Sequence, residues 1–403
     1  MRRVVITGAG CISALGSDMG AMWQALAAGR SGIAFSDQPD FDGLQIKNCA
    51  AVTDFDPDAL FDAKELPILD RYTQFALVAA REAVAQSGLV FSAELSARTA
   101  VITGAGSGGM TTVDAAYKRL YGDGKLRVYP MTVPRLMVSA ASSHVTMAFG
   151  IRGPAYTISS ACSSANHAIG EAFNMIRYGR ADAAITGGAE ACLTRGTMGA
   201  WQSLRVMATD TCRPFCIDRK GMVLGEGAGM FVLETLEGAQ ARGADILAEI
   251  VGFGMTSDAG DIVQPSLDGV CGAISAALAD AQLAPEAIDY VNAHGTGTDI
   301  NDVVETAALH QVLGKHAKAI AISSTKSMHG HALGAAGALE LAATLKAFEH
   351  QTAPPTANFT QADPKCDLDY VPNSAREMRI DAALSNSFAF GGLNAVLAIK
   401  RVN

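Results

Sequence analysis

The stretch TISSACSSANHAIG at residues 157–170 decides how the rest of the chain is read. It closes a short apolar strand, Ala155 to Ile158, and passes through a run of small residues. A helical pattern follows, carried by Ala165, Ile169, Phe173 and Ile176. Cys162 falls where strand becomes helix. Its thiol is expected at the positive end of the helix dipole, among side chains too small to cover it. That setting lowers a thiol pKa and favours the nucleophilic thiolate.

The pattern returns downstream. ISSACSSANHAIG at 158–170 aligns without a gap on ISSTKSMHGHALG at 322–334. Identities fall at Ile158/Ile322, Ser159/Ser323, Ser160/Ser324, Ser163/Ser327, His167/His331, Ala168/Ala332 and Gly170/Gly334, and Lys326 takes the place of Cys162. Two junctions rich in Ala, Ser and Gly can look alike by chance. The fixed offsets of Ser-Ser and His-Ala-x-Gly favour a duplicated half-domain whose copies have diverged in chemistry. The chain openings agree, since EIVGFG from Glu249 mirrors VVITGAG from Val4. We divide the chain into residues 1–240, holding Cys162, and residues 241–403, restarting near Ala241. No Pro/Ser-rich linker separates them, so they are expected to fold as one fused body.

Composition bounds the possibilities. The 403 residues are 49% hydrophobic and 18% charged, enough to bury a large core. Abundant glycine (41 residues) and sparse aromatics (6%) suit close-packed α/β layers with short turns. No apolar run reaches membrane-spanning length, and MRRVVITGAG enters a strand at once, so neither membrane insertion nor a signal peptide is expected. The eight cysteines are scattered with no CxxC pair, which points to reduced thiols in the cytoplasm. No Cys/His cluster has zinc spacing, and no metal site is expected. A net charge of -9 without a basic, aromatic-laced stripe argues against nucleic acid.

Strand, turn and helix alternate along the whole chain, which predicts an α/β fold. Helices are expected around Met19–Ala28 and over Tyr72–Ser87. Strands are expected at Arg3–Gly10, Ala100–Thr103, Ala183–Thr186, Met230–Leu233, Ile246–Val251, Tyr290–Asn292, Ala319–Ile322 and Ala395–Lys400. GAGSGG at 104–109 lacks G-x-G-x-x-G spacing and reads as a loop built for close backbone approach, not as a dinucleotide site. Residues 118–135 read as a loop-rich insertion. Three further stretches carry candidate chemistry: NAHGTGT at 292–298, STKSMHGH at 324–331 continuing into GAAG at 334–337, and NSFAFGG at 386–392. A lone His or Cys is usually structural. Four such stretches at successive strand ends are not.

Together these motifs resemble those of the β-ketoacyl-acyl carrier protein synthases, condensing enzymes of the thiolase superfamily. The likeness runs from VVITG to NSFAFGG and includes RPF at 213–215 and GEGAG at 225–229. TCRPF at 211–215, GEGAGM at 225–230, SMH at 327–329 and CDLD at 366–369 are similar to the branch containing nodulation protein E. The resemblance implies a thiolase-like five-layered αβαβα fold of two duplicated halves. It implies a decarboxylative Claisen condensation of malonyl-acyl carrier protein with an acyl group held as a thioester on Cys162, as in fatty-acid or polyketide elongation. His294 and His331 would stabilise the enolate, and the N–H groups of Cys162 and Phe390 would form the oxyanion hole. Lys326 would organise His331 with Glu305 as its partner. Thr296 and Thr298 would contact the phosphopantetheine arm or malonyl group, and Ser107 would bound the acyl tunnel. Phe388 and Gly391 would also bind substrate, and Phe390 would gate the second substrate. No cofactor is implied beyond the carrier's phosphopantetheine. The implied partners are acyl carrier protein and a second copy of the chain.

Departures from the family pattern bear on these expectations. Ala389 stands where the gate often has glycine, and Ser107 is small for its position. Pro67 and Ile68 replace basic residues expected before Asp70, leaving Lys64 and Arg71 for carrier docking. Cys216 and Met222 replace an Asp and an aromatic. His167 and His329 are read as packed residues behind the site. A degradative thiolase is disfavoured, since thiolases pair one His with a second Cys. The reading from another class, a non-catalytic chain-length-setting partner of a heterodimer, is disfavoured by the presence of Cys162.

Overall fold

The computed structural model describes residues 1–402. Ten strands carry the fold: β1 (Val4–Ser13), β2 (Thr99–Gly104), β3 (Ala155–Ile158), β4 (Ala183–Glu190), β5 (Gly227–Thr235), β6 (Ala248–Ser257), β7 (Tyr290–Asn292), β8 (Ala321–Ser323), β9 (Ala382–Ala389) and β10 (Leu393–Lys400). Their order in the sheet is β8-β7-β9-β10-β6-β1-β5-β4-β2-β3. In the first half β2 runs parallel to β3 and β4, while β5 runs antiparallel to β4 and β1. In the second half β7 runs parallel to β8 and β9, while β10 runs antiparallel to β9 and β6. The two halves therefore repeat one topology strand for strand. They join where Val4, Val5 and Ile6 pair antiparallel with Ile250, Glu249 and Ala248.

The central strands are buried along both faces, so they read as near-continuous runs of small and apolar residues with no polar alternation. Helices cover them in layers. Helix α1 (Arg71–Ser87) packs outside β1, β5 and β4. Two helices touch strands of both halves: α2 (Ser164–Arg177), and α6 (Ala336–His350) near the end of the chain. Helices α4 (Leu267–Ala281) and α5 (Asp299–Leu313) close the far side, α4 against β6 and β10 and α5 against α4. The result is the expected αβαβα arrangement. Helix α6 is apolar and small on nearly every side, as a helix packed against strands of both halves must be. Helix α2 seats on β6 through Gly170, where a Cβ would stand 2.5 Å from the Phe253 ring. Asn166 of α2 ties the layers by donating to the carbonyls of Ser385 and Ala395, at 3.1 and 3.3 Å.

The duplication is real, but the gapless alignment fails past the strand. Helix α2 is entered through a 3₁₀ turn, Ala161–Ser163, whose first residue has φ 51°. Helix α6 is entered through the turn Leu333–Ala335, whose first residue has φ 44°. The gapless pairing sets Ala161 against Thr325; the structure sets it against Leu333, eight residues on. The counterpart of Cys162 is thus Gly334, and Lys326 belongs to a short extra helix, Lys326–His329, inserted before the turn.

The glycine loop after β2 serves close approach, as expected. At Gly104 a Cβ would lie 2.4 Å from the Ser164 backbone. The 118–135 insertion contains a π-helical turn, Lys118–Gly122, and a short helix begins at Thr132. Among the described residues no helix is long and apolar enough to cross a membrane.

Candidate active site

Four strand-end segments converge on one cleft lined by Cys162, His294, His331, Thr296, Thr298, Phe388 and Phe390. Cys162 follows β3 on the turn into α2. Ala161 before it is held left-handed, a conformation costing a non-glycine residue roughly 1–3 kcal/mol, so the surroundings must fix it. Ser164 does so from within the turn: its Oγ accepts from the Ser160 N–H at 2.9 Å and donates to the Ala161 carbonyl at 2.6 Å.

The thiol does not have the lowered pKa the sequence led us to expect. Burial pushes Cys162 up to about 12; the Lys326 charge and the Phe390 N–H pull the other way, and Glu190 adds to the rise. Desolvation disfavours a thiolate, and around this enclosed sulfur it outweighs the helix end. Cys162 therefore rests as a neutral thiol. The backbone N–H groups of Phe390 and Cys162 both face it.

His294 follows β7 at the entry to α5. Glu305, inside α5, braces that turn by accepting from the N–H groups of His294 and Gly295 at 2.8 Å each and from Asn386 Nδ2 at 3.1 Å. Glu305 is therefore not the partner of Lys326. That partner is Glu340 of α6, bonded directly to Lys326 Nζ, with both side chains wholly buried. Lys326 reaches His294 rather than His331, donating to the His294 carbonyl at 2.6 Å and to its Nδ1 at 3.2 Å. An unpaired ammonium here would carry a penalty of several kcal/mol, and Glu340 removes it.

These contacts set the tautomers. With Nδ1 of His294 accepting from an ammonium, its ring proton sits on Nε2. His331 is held by backbone bonds to Val223 and Gly225 beside Leu224, and its Nδ1 accepts from the Leu333 N–H at 3.2 Å. Its proton also sits on Nε2. The rings lie 5.4 Å apart at 84°. Burial, then the Lys326 charge, holds both imidazoles well below the usual histidine pKa, with His331 adding to this for His294 and His329 for His331. The cleft thus presents two neutral N–H donors beside a thiol.

The other anticipated residues sort as follows. Thr296 and Thr298 hydroxyls bond to each other at 2.8 Å on the cleft wall. Ser107 lines a second cavity behind Cys162 and donates to Glu190 at 2.9 Å. Phe388 packs 6.0 Å from the His294 ring. Gly391 does not line the cleft; its N–H is tied to the Ile262 carbonyl at 2.8 Å. Met222 lines the cleft, while Cys216 is buried apart from it. Arg71 turns inward onto Glu226 and the Val52 carbonyl, so it is not free for docking. His167 bonds to Ser160 Oγ at 2.9 Å and His329 to Thr325 Oγ1 at 2.9 Å, both away from the cleft.

Three residues escaped the sequence. Glu190, at the end of β4, accepts from the Gly106 and Gly334 N–H groups at 2.7 and 3.1 Å as well as from Ser107. It joins the glycine loop to the turn just after His331. A carboxylate closing the buried run AAITGGAE was its signal. Glu340 was visible as the one acid within GALELAA. Trp201, on α3 (Arg195–Ser203), stacks on Phe390 with centroids 5.6 Å apart and carried no signal.

Known proteins resemble this chain over its whole length. Residues 1–239 match the family described as Beta-ketoacyl synthase, N-terminal domain, and residues 247–360 match Beta-ketoacyl synthase, C-terminal domain. Nodulation protein E of Rhizobium sp. (strain N33) is 47% identical over 401 residues, covering 100% of both chains. The 3-oxoacyl-[acyl-carrier-protein] synthase 2 of Coxiella burnetii (strain RSA 493 / Nine Mile phase I) is 42% identical, covering 100% of this chain and 99% of its own. Among solved structures, the ishigamide ketosynthase/chain length factor superposes with a TM-score of 0.95 at 37% identity, covering 100% of each chain. Other matching structures hold a ketosynthase with its acyl carrier protein or with a chain length factor.

Proposed function

The chain belongs to the β-ketoacyl synthase family, and on that footing we propose how its residues divide the work. It is an acyltransferase of fatty-acid-type synthesis that condenses a malonyl thioester with an acyl group to a 3-oxoacyl product. Cys162 Sγ attacks the carbonyl of the incoming acyl thioester. The S–C bond to the carrier's phosphopantetheine breaks, the carrier thiol leaves with the proton, and the acyl group stays on Cys162. A malonyl thioester then enters the cleft. Its carboxylate departs as CO2, and the electron pair left behind forms an enolate whose oxygen accepts from Nε2 of His294 and His331.

The enolate carbon attacks the acyl-Cys162 carbonyl. The resulting oxyanion accepts from the N–H groups of Cys162 and Phe390, collapse expels the sulfur, and a solvent proton restores the thiol. Stabilising charge as it develops is the largest contribution such a site makes. The observation that carries this reading is the pair of neutral imidazoles, each with Nδ1 engaged as an acceptor and Nε2–H left for the cleft. Their partners are an acyl carrier protein, whose phosphate would meet Arg205 and Lys220 at the cleft mouth, and a second copy of the chain.

The test is intact-mass measurement after incubation with acyl-carrier substrates, wild type beside Cys162→Ala. We expect an acyl adduct on the wild type alone, released as 3-oxoacyl-carrier on addition of malonyl-carrier. A wild-type chain that never loads would reassign it as a chain-length-setting partner.

A further inference from the structure

Glu190 lies wholly buried behind the cleft, and no step of the condensation touches it. Four donors surround its carboxylate. The N–H groups of Gly106 and Gly334 reach Oε2 at 2.7 and 3.1 Å, and the N–H and hydroxyl of Ser107 reach Oε1 at 3.2 and 2.9 Å. Burial raises the Glu190 pKa, and all four bonds pull the other way. A carboxylate accepts from every one of them. An amide of the same shape would turn its own NH2 toward at least one.

The two-fold plan shows what this carboxylate stands in for. Gly334 is the counterpart of Cys162, and β4 meets the turn of Gly334 as β9 meets the turn of Cys162. On the reading above, the Cys162 N–H is left for a substrate oxygen. The Gly334 N–H is already taken, by Glu190. The second half thus keeps a resident anion where the first receives a transient one.

What that anion holds is read from the neighbouring bond. Leu333, immediately before Gly334, is left-handed at φ 44°, a conformation a branched side chain keeps only when its surroundings fix it. Its N–H is the donor to Nδ1 of His331 at 3.2 Å. Loosening the turn at Gly334 would release that donor and free the ring proton to move to Nδ1.

We propose that Glu190 is a positioning residue for decarboxylation: seated on the N–H groups of Gly106, Ser107 and Gly334, its carboxylate fixes the turn whose Leu333 N–H keeps the ring proton of His331 on Nε2. This rests on the reading of His331 as an enolate donor.

The experiment compares wild type with Glu190→Gln and Glu190→Ala. It follows decarboxylation of malonyl-carrier, acyl loading of Cys162 by intact mass, and the ring nitrogens of His331 in NMR spectra of histidine-labelled protein, assigned by their absence from His331→Ala. In Glu190→Gln we expect kcat for decarboxylation to fall about a hundredfold, the scale of a misplaced donor, while KM and the loading rate stay within about twofold. The Nδ1 signal of His331 should leave the acceptor position it holds in the wild type. Formate, small enough to sit on the vacated N–H groups, should restore decarboxylation to Glu190→Ala, and formamide should not. Loading and decarboxylation falling by one common factor, with the His331 nitrogens unmoved, would overturn the proposal and leave the two-imidazole reading standing. An unchanged kcat would do the same. A His331→Ala chain that decarboxylates as well as wild type would overturn the reading, and the proposal with it. Should Glu190→Gln not fold, Glu190→Ala purified in formate and then freed of it decides by the same readouts.

Discussion

At the scale of single residues, Lys326 has the most to lose. It is wholly buried and bonds to Glu340 and to two atoms of His294. Lys326→Ala leaves Glu340 charged and alone, and the expected loss is about 3–5 kcal/mol in urea unfolding. The paired change Lys326→Met with Glu340→Leu should recover most of that stability yet not malonyl decarboxylation, because Nδ1 of His294 has lost the donor that fixed its tautomer. Recovery of decarboxylation by the pair would refute the positioning role. The imidazoles give a second expectation. Their pKa values lie well below the usual 6.5, so the neutral donor form persists as pH falls through that value and protonation sets in only at lower pH. Decarboxylation at saturating malonyl-carrier should therefore show no inflection near 6.5; a titration there would contradict the buried, Lys326-facing environment.

At the scale of elements, the turn into α6 has no room. A Cβ on Gly334 would stand 2.1 Å from the Gly106 N–H nitrogen and 2.8 Å from Glu190 Oε2. Gly334→Ala should cost roughly 1–3 kcal/mol as an overpacked site and displace His331 with it. A melting temperature and decarboxylation rate equal to wild type would count against this. The sequence made most elements legible because their cause is local: an apolar run, a glycine turn, a helical period. The same logic singled out Cys162 and His294 just past strand ends and His331 beyond the short helix after β8, and all three line one cleft. It failed where the cause is not local. Glu340 lies fourteen positions from Lys326 and meets it only after α6 is laid against the strands of both halves. The thiol pKa follows from enclosure by residues drawn from every part of the chain, and no helix-end rule can report that. The gapless alignment failed because shared letters around 331–334 fell by coincidence on a register that the backbone does not keep.

At the scale of the whole molecule, the halves are separable in topology and inseparable in packing. Helices α2 and α6 each lie against both sets of strands, and Arg177 of the first half bonds to Asp280 of the second at 2.7 Å. We expect a single calorimetric transition for the intact chain. Residues 1–240 alone should fail to give a dispersed amide spectrum, because α2 would expose the face that Phe253 covers. Two resolved transitions would show the halves to be independent.

The extra helix before the α6 turn has a consequence for how such a body can change over generations. Strand β3 passes into its turn almost at once, and β8 needs no more than that to reach Leu333. The intervening residues, which carry Lys326 and His331, are a graft on a body whose two-fold plan is complete without them. Losing that segment would take Lys326 and His331 together and leave Glu340 of α6 buried without its cation, so the graft and the helix it sits against can only change together.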